Sequence, residues 1–155
     1  MMLKKTLLLT FFFFLSSCGY EPIHSKKNIA NYDFSINQIV FEGDRDINLK
    51  IKEKLNNYTL IEKEKNFSLN IISVTTKTVQ TKNLAGDPTS FKKKISIKVQ
   101  VLEKNTIKNV LVFQEDFNYN NNTNKFNLRN YEKEIKNNLA ETATDKLIFK
   151  LSNIK

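Results

Sequence analysis

A single cysteine, Cys18, is the residue whose position predicts covalent chemistry. It follows a positive segment with Lys4 and Lys5, the apolar run Thr6–Leu15 and two serines. This order is that of a secretory signal peptide, and a cysteine at its cleavage point forms a bacterial lipobox. We expect the Cys18 thiol to be linked to a diacylglycerol, residues 1–17 to be removed, and the new N-terminus to carry fatty acids such as palmitate. Several acyl chains, at about 0.8 kcal/mol per buried methylene, would hold the domain on a bilayer.

The residues around Cys18 also predict its location. An uncleaved membrane anchor is the alternative, but the apolar run is shorter than the roughly 20 residues that span a bilayer. The next residue is Gly19 rather than Asp, which commonly favours retention in the inner membrane of Gram-negative bacteria. The sequence therefore predicts a lipid-anchored protein on the periplasmic side of the outer membrane.

A second group of reactive side chains consists of lysines on two neighbouring predicted strands. Lys92, Lys93 and Lys94 open one strand and Lys98 lies further along it, while Lys77 and Lys82 lie on the strand before it. If these strands pair, their amines gather at one end of a sheet, where they could bind a phosphorylated glycolipid as point charges. The alternative is an edge strand that is protected from aggregation by lysines.

Residues for other chemistry are sparse. The one histidine, His24, falls in a predicted linker, so no Ser-His-Asp set is expected in a folded site. There is no Cys/His cluster for zinc and no Gly-rich phosphate loop. The scattered carboxylates leave acid–base chemistry open, but pairs such as Glu132 and Lys136 are typical of helix surfaces. We expect no catalytic residues, no metal site, no cofactor and no enzymatic activity.

The length and net charge of the chain limit its domain number and the kinds of partner it can have. Removing 17 of the 155 residues leaves 138, enough for one domain with its own core. The net charge of +9 becomes +7 without Lys4 and Lys5. A basic exported surface could face anionic lipid, lipopolysaccharide or an acidic protein, although a general bias towards Lys and Asn also explains the charge. Export argues against a nucleic-acid partner. We predict a tether over 18–31 and a single domain over 32–155.

Hydrophobic periodicity predicts the elements that must position these residues. Alternation predicts four strands, and spacings of three or four predict two helices, the first capped by Asp44. The strands are Tyr32–Phe41, Phe67–Lys82, Phe91–Leu102 and Ile107–Tyr119, and the helices are about Asp46–Asn57 and Leu128–Ser152. The second helix is predicted from an apolar stripe that recurs every three or four residues: Leu128, Tyr131, Ile135, Leu139, Ala143, Leu147, Leu151 and Ile154. Leu139 is expected to be buried against the sheet. The order β-α-β-β-β-α favours an α+β fold, a two-layer sandwich in which two helices cover one face of a four-stranded, mostly antiparallel sheet.

These features together resemble the lipopolysaccharide-assembly lipoproteins, the LptE family. The resemblance covers nearly the whole chain: the start Cys18-Gly19-Tyr20-Glu21-Pro22, the order of elements, a Thr-rich second strand before a strongly alternating third, and a long final helix. It implies a non-enzymatic outer-membrane protein that partners a large β-barrel, LptD, and touches lipopolysaccharide during its export. In this family, basic residues near the loop between strands two and three are implicated in that contact, which points to Lys92, Lys93 and Lys94.

Two other functions remain open at this stage. One is a non-catalytic scaffold lipoprotein of another outer-membrane or secretion complex. The other is a small periplasmic α/β enzyme, which the lack of a folded His, Cys or Gly-rich site argues against. Co-purification with a large outer-membrane barrel would separate the first hypothesis from the scaffold.

Overall fold

The computed structural model describes residues 33–60 and 62–154. The predictions on the signal peptide, the tether, Cys18 and His24 lie outside these residues. The elements are β1 (Ser35–Gly43), α1 (Arg45–Leu55), a 3₁₀ turn (Asn56–Tyr58), β2 (Asn66–Lys82), β3 (Pro88–Glu103), β4 (Thr106–Asn120) and α2 (Lys125–Ser152). The predicted order β-α-β-β-β-α is confirmed, and its boundaries move by a few residues.

The four strands form one open, mixed sheet in the order β1-β2-β3-β4. The β1–β2 pair is parallel, because α1 carries the chain back across the sheet, whereas β2–β3 and β3–β4 are antiparallel hairpins. The second hairpin turns through Lys104 and Asn105, both with positive φ. A register shift between Ile36 and Gln38 marks a bulge in β1, where the sequence alternation also shifts.

β1 ends at Gly43 for a steric reason. This residue has φ +91°, and a Cβ atom built on it would lie 1.9 Å from the carbonyl oxygen of Ser73 on β2. Asp44 then caps α1 by accepting hydrogen bonds from the amides of Asp46 and Ile47 at 3.0 and 3.3 Å. The cap predicted from the sequence is confirmed, and it satisfies amides that have no partner inside the helix.

The two helices cover one face of the sheet. Ile47, Ile51 and Leu55 of α1 are buried at spacings of four. On the opposing sheet face, β3 buries its alternating aliphatic residues. Those residues are Ile95, Ile97, Val99 and Val101. This confirms the two-layer α+β prediction.

The buried stripe of α2 differs in detail from the predicted one. Asn124 caps the helix, and Ala140, Thr144 and Ile148 are buried although the predicted stripe omitted them. Leu139, expected to be buried against the sheet, is half-buried and packs against the cluster of Phe91 and Tyr119, and Tyr131 of the predicted stripe is exposed. The helix therefore buries a broader stripe than the one read from the sequence.

Candidate functional site

The three neighbouring lysines of β3 lie on two different faces of the sheet. The predicted β2–β3 pairing is confirmed, and it places Lys77 opposite Lys93 at the end of the sheet next to the β2–β3 turn. Because side chains alternate along a strand, Lys92 and Lys94 lie on the open face and Lys93 on the helix-covered face. The lysines do gather at one end of the sheet, as expected, but they do not form one surface.

Lys93 is buried, with 7% of its surface exposed. Its amine donates to the backbone oxygen of Glu132 at 3.1 Å and to the Glu132 carboxylate at 3.3 Å. The same carboxylate accepts from the Tyr119 hydroxyl at 2.8 Å and from the Lys77 amine. Glu132 thus joins α2 to β2, β3 and β4, and Lys93 is removed from the group that could contact a ligand.

The neighbours of Glu132 in this network favour its charged, carboxylate form. Burial opposes its charge, but the hydrogen bonds from Lys77 and Tyr119 and the charge of Lys93 outweigh burial and lower its pKa. At Lys93 the balance is reversed, since burial exceeds the attraction of Glu132 and lowers the amine's pKa. The pKa of Tyr119 is raised, first by burial and then by its bond to the carboxylate. Such a network ties a helix to a sheet, and its polar groups satisfy one another.

Aromatic rings pack against one side of the Glu132 network. The amine of Lys77 lies 4.0 Å from the centroid of the Phe91 ring, a cation–π contact. Phe91 packs on Tyr119 with ring centroids 5.7 Å apart. Together with Leu128 and Ile135 they form a small apolar cluster under the first half of α2. This arrangement is that of a structural joint between helix and sheet.

A second polar joint ties α2 to the start of α1. Lys136 contacts Asp44 at 3.3 Å and also bonds Asp46, while Thr75 donates to Asp44 at 2.8 Å. Burial alone would lower the pKa of Lys136, but the bonds to these carboxylates raise it. The predicted Glu132–Lys136 surface pair is therefore wrong, because each residue is engaged by a different element.

The open face carries the accessible lysines in one row along β3. Lys92, Lys94 and Lys98 all lie on this face, so their Cα atoms are about 7 and 14 Å apart along the strand. Lys92 has a partner, the Asp116 carboxylate at 3.5 Å. Lys94 and Lys98 make no ion pair within residues 33–60 and 62–154. These amines could meet an anionic group as exposed point charges.

The same open face also carries exposed aliphatic residues towards its other end. No helix of the described chain covers it, and Val40, Ile72, Val74, Val110 and Val112 are all exposed there. In register they alternate with polar residues: Lys98 lies between Ile72 and Val112, and Asn70 and Gln100 lie between Val40 and Val110. The open face is therefore a mixed surface in which exposed aliphatic side chains are interspersed with lysines and amides.

The described residues offer little for metal chemistry or for crossing a membrane. Over residues 33–60 and 62–154, no group of three or more His, Cys, Asp or Glu could hold a metal ion. None of the helices in that part of the chain is long and apolar enough to cross a membrane.

The sequence reasoning missed the central residue, Glu132, because it considered only helix neighbours. One signal was present: Lys93 has the same parity as Ile95 and Ile97, and period two alone places all three on the covered face. Extending the alternation by one step would have separated Lys93 from its neighbours. Nothing in the spacing predicted which acid would meet it, because that depends on where α2 crosses the sheet.

Solved structures of bacterial lipoproteins share this fold, among them the following three. Rare lipoprotein B from Shewanella oneidensis has a TM-score of 0.56 and 12% identity, and the match covers 76% of this chain and 98% of that one. A minor lipoprotein from Acinetobacter baumannii has a TM-score of 0.58 and 12% identity, and the match covers 78% of this chain and 91% of that one. Lipoprotein B from Nitrosomonas europaea has a TM-score of 0.53 and 9% identity, and the match covers 83% of this chain and 90% of that one. No protein-family model and no curated protein sequence matches the chain. At these identities the likeness establishes the fold, and that fold is one found in bacterial lipoproteins.

Proposed function

We propose that this protein is a non-catalytic lipoprotein, anchored in the outer membrane through Cys18, that partners the LptD β-barrel in assembling and exporting lipopolysaccharide. The open face of the sheet carries this proposal. A domain that leaves a mixed apolar and basic face uncovered, and whose N-terminus holds a lipobox, is suited to a partner at the membrane. The fold shared with bacterial lipoproteins and the resemblance to the LptE family support the same assignment.

Lipopolysaccharide contact is assigned to the open face and not to the whole lysine triplet. Lys92 and Lys94 lie on that face near exposed aliphatic residues such as Val74, so phosphates could meet the lysines while acyl chains meet the aliphatic side chains. Lys93 serves the Glu132 network instead. Each exposed contact contributes little alone, and we expect binding to weaken as salt shortens the Debye length from about 8 Å at 0.15 M to about 3 Å at 1 M.

Affinity purification of the full lipidated protein from solubilised outer membranes tests the partnership. We expect a large β-barrel protein in stable one-to-one complex, and depletion of the lipoprotein should lower the amount of folded barrel. Recovery of a different envelope complex, with no large barrel, would favour the scaffold function instead.

Charge reversal tests the lipid contact separately. The double variant Lys92→Glu and Lys94→Glu should weaken lipopolysaccharide binding at low salt while barrel capture persists. The matched control reverses Lys133 and Lys150, two exposed lysines of α2, which changes the net charge equally. Equal loss in both variants would mean that only total charge matters, and no loss in the first would remove these lysines from the proposed site.

A further inference from the structure

β4 is a long edge strand with an unpaired side. It spans fifteen residues and pairs only with β3. The Asn121 amide donates to the Thr89 oxygen on the β3 side, and the register is regular from Asn109 to Asn120. Since amide direction alternates along a strand, the amides of Val112, Gln114, Asp116 and Asn118 point away from β3. Within residues 33–60 and 62–154 none of these four amides has a hydrogen-bond partner.

Part of β4 has the composition of a strand buried on both faces. Val110, Leu111, Val112 and Phe113 form a continuous apolar run, which is typical of central strands and not of edges. Edge strands are usually protected by being short, bulged or rich in charge. The opposite edge, β1, has nine residues and a bulge at Gln38. β4 has a register irregularity at Lys108, but from Asn109 to Asn120 it is neither short nor bulged, and its charged residues there are Glu115 and Asp116.

A cleft runs beside the same edge, between β4 and α2. It has a volume of about 280 Å³, and its walls include Phe117, Tyr131, Ile135 and Leu139. Phe117 and Tyr131 are 45% and 44% exposed. A strand added next to β4 would direct alternate side chains into this cleft. The unpaired backbone edge and the apolar cleft could therefore be filled by the same extended segment.

We propose that an extended segment of a partner polypeptide adds to the sheet as a fifth strand beside β4, with apolar side chains in the cleft under α2. A row of unpaired amides and carbonyls is satisfied by another strand and not by lipid chains, which fixes the occupant as polypeptide. The inference rests on the proposed function for the identity of that polypeptide, a segment of the β-barrel partner.

A second copy of this chain is the competing occupant of the edge. In antiparallel self-pairing centred on Phe113, Val110 would face Asp116 and Leu111 would face Glu115, and centring on Glu115 would bring two like charges together. Centring on Val112 would instead place Leu111 opposite Phe113, so a crosslinked species of twice this chain's mass is the outcome that would assign the edge to self-association. The net charge of +7 that remains without residues 1–17 adds repulsion between copies.

Site-specific photocrosslinking in cells that produce the full lipidated protein tests the inference. A benzophenone amino acid is placed at Gln114 or Asn118 on β4, and at Glu53 of α1 or Asn57 of the 3₁₀ turn as controls, two exposed residues outside the open face. We expect a crosslink to one large outer-membrane protein from β4 and none from Glu53 or Asn57. Equal crosslinking from both groups would overturn the edge-specific assignment.

Two variants then separate strand addition from simple proximity. Gln114→Pro removes an outward amide without breaking the β3 ladder and should abolish the β4 crosslink from Asn118. If this variant does not fold, Phe117→Lys places a charge in the cleft while leaving the backbone unchanged and should have the same effect. Persistence of the crosslink in a folded variant would overturn strand addition. A barrel that co-purifies but never crosslinks to β4 refutes this inference alone, whereas recovery of no barrel refutes the proposed function as well.

Discussion

Replacing Glu132 by Gln should destabilise the fold more than any other single change of charge on α2. The substitution keeps the size of the side chain but leaves Lys93 and Lys77 without their shared negative partner. The Lys93–Glu132 pair is close to fully buried, with side-chain exposures of 9% and 15%. Removing one partner of a buried ion pair typically costs about 3–5 kcal/mol, because the other charge stays buried and unpaired.

The contacts in the structure place the cost of Glu132→Gln at the lower end of this range of about 3–5 kcal/mol. Lys93 would keep its hydrogen bond to the backbone oxygen of residue 132 at 3.1 Å, and Lys77 is exposed enough to turn towards water. We therefore expect a loss of about 3 kcal/mol in the free energy of unfolding. For a domain of this size that corresponds to a fall in Tm on the order of 10 °C. Urea and thermal denaturation followed by circular dichroism measure both quantities.

The pH dependence of the loss follows from the lowered pKa of Glu132. A carboxylate whose pKa is lower in the folded state contributes stability above its ordinary pKa, about 4.3, and that stability disappears as pH falls through the folded value. The difference between wild type and Glu132→Gln should thus be full at pH 7 and narrow below about pH 4.

Glu134→Gln provides the control, since Glu134 is an exposed acid two residues further along α2 that makes no ion pair within residues 33–60 and 62–154. It should change stability by less than about 0.5 kcal/mol. The reasoning would be refuted if both variants changed stability equally, or if the effect of Glu132→Gln stayed constant down to pH 3.

Three further predictions concern other parts of the chain. Metabolic labelling with a palmitate analogue should tag the wild type and not Cys18→Ala, and equal labelling would contradict lipidation there. Leu147→Ala should cost roughly 2–5 kcal/mol because Leu147 is fully buried, and Leu139→Ala should cost less because Leu139 is half-buried; the opposite order in urea denaturation would contradict the packing described. Gly43→Ala should destabilise by more than about 1 kcal/mol, since a Cβ atom there would overlap the Ser73 oxygen and φ is positive; wild-type stability would show that β1 can end differently.

The order of elements could be predicted because it depends on local patterns. The alternation from Ile95 to Val101 indicates a strand with one buried face. The cap at Asp44 indicates where a helix begins, and this signal does not depend on what the helix packs against. Both signals come from residues close together in the chain. The ends of such elements are less certain, and the start of α2 lies three residues before the predicted one.

The partners of charged side chains could not be predicted in the same way. Glu132 and Lys136 are helix neighbours in the sequence, but each can reach a different element once α2 lies across the sheet. Lys136 then meets Asp44, 92 positions earlier in the chain. Buried ion pairs between distant elements depend on the crossing position of a helix, and spacing along one helix carries no information about that position.

β4 shows where sequence pattern and observed position disagree and why the disagreement carries information. The run Val110–Phe113 correctly predicts a strand, and its composition alone would place that strand in the middle of a sheet. Chain connectivity places it at the edge, because β3 has β2 on its other side and no described strand follows β4. An edge strand that contains such an apolar run leaves both apolar side chains exposed and backbone amides unpaired. An added strand would cover apolar side chains and pair the amides at the same time, whereas a lipid surface or solvent could do only one of the two.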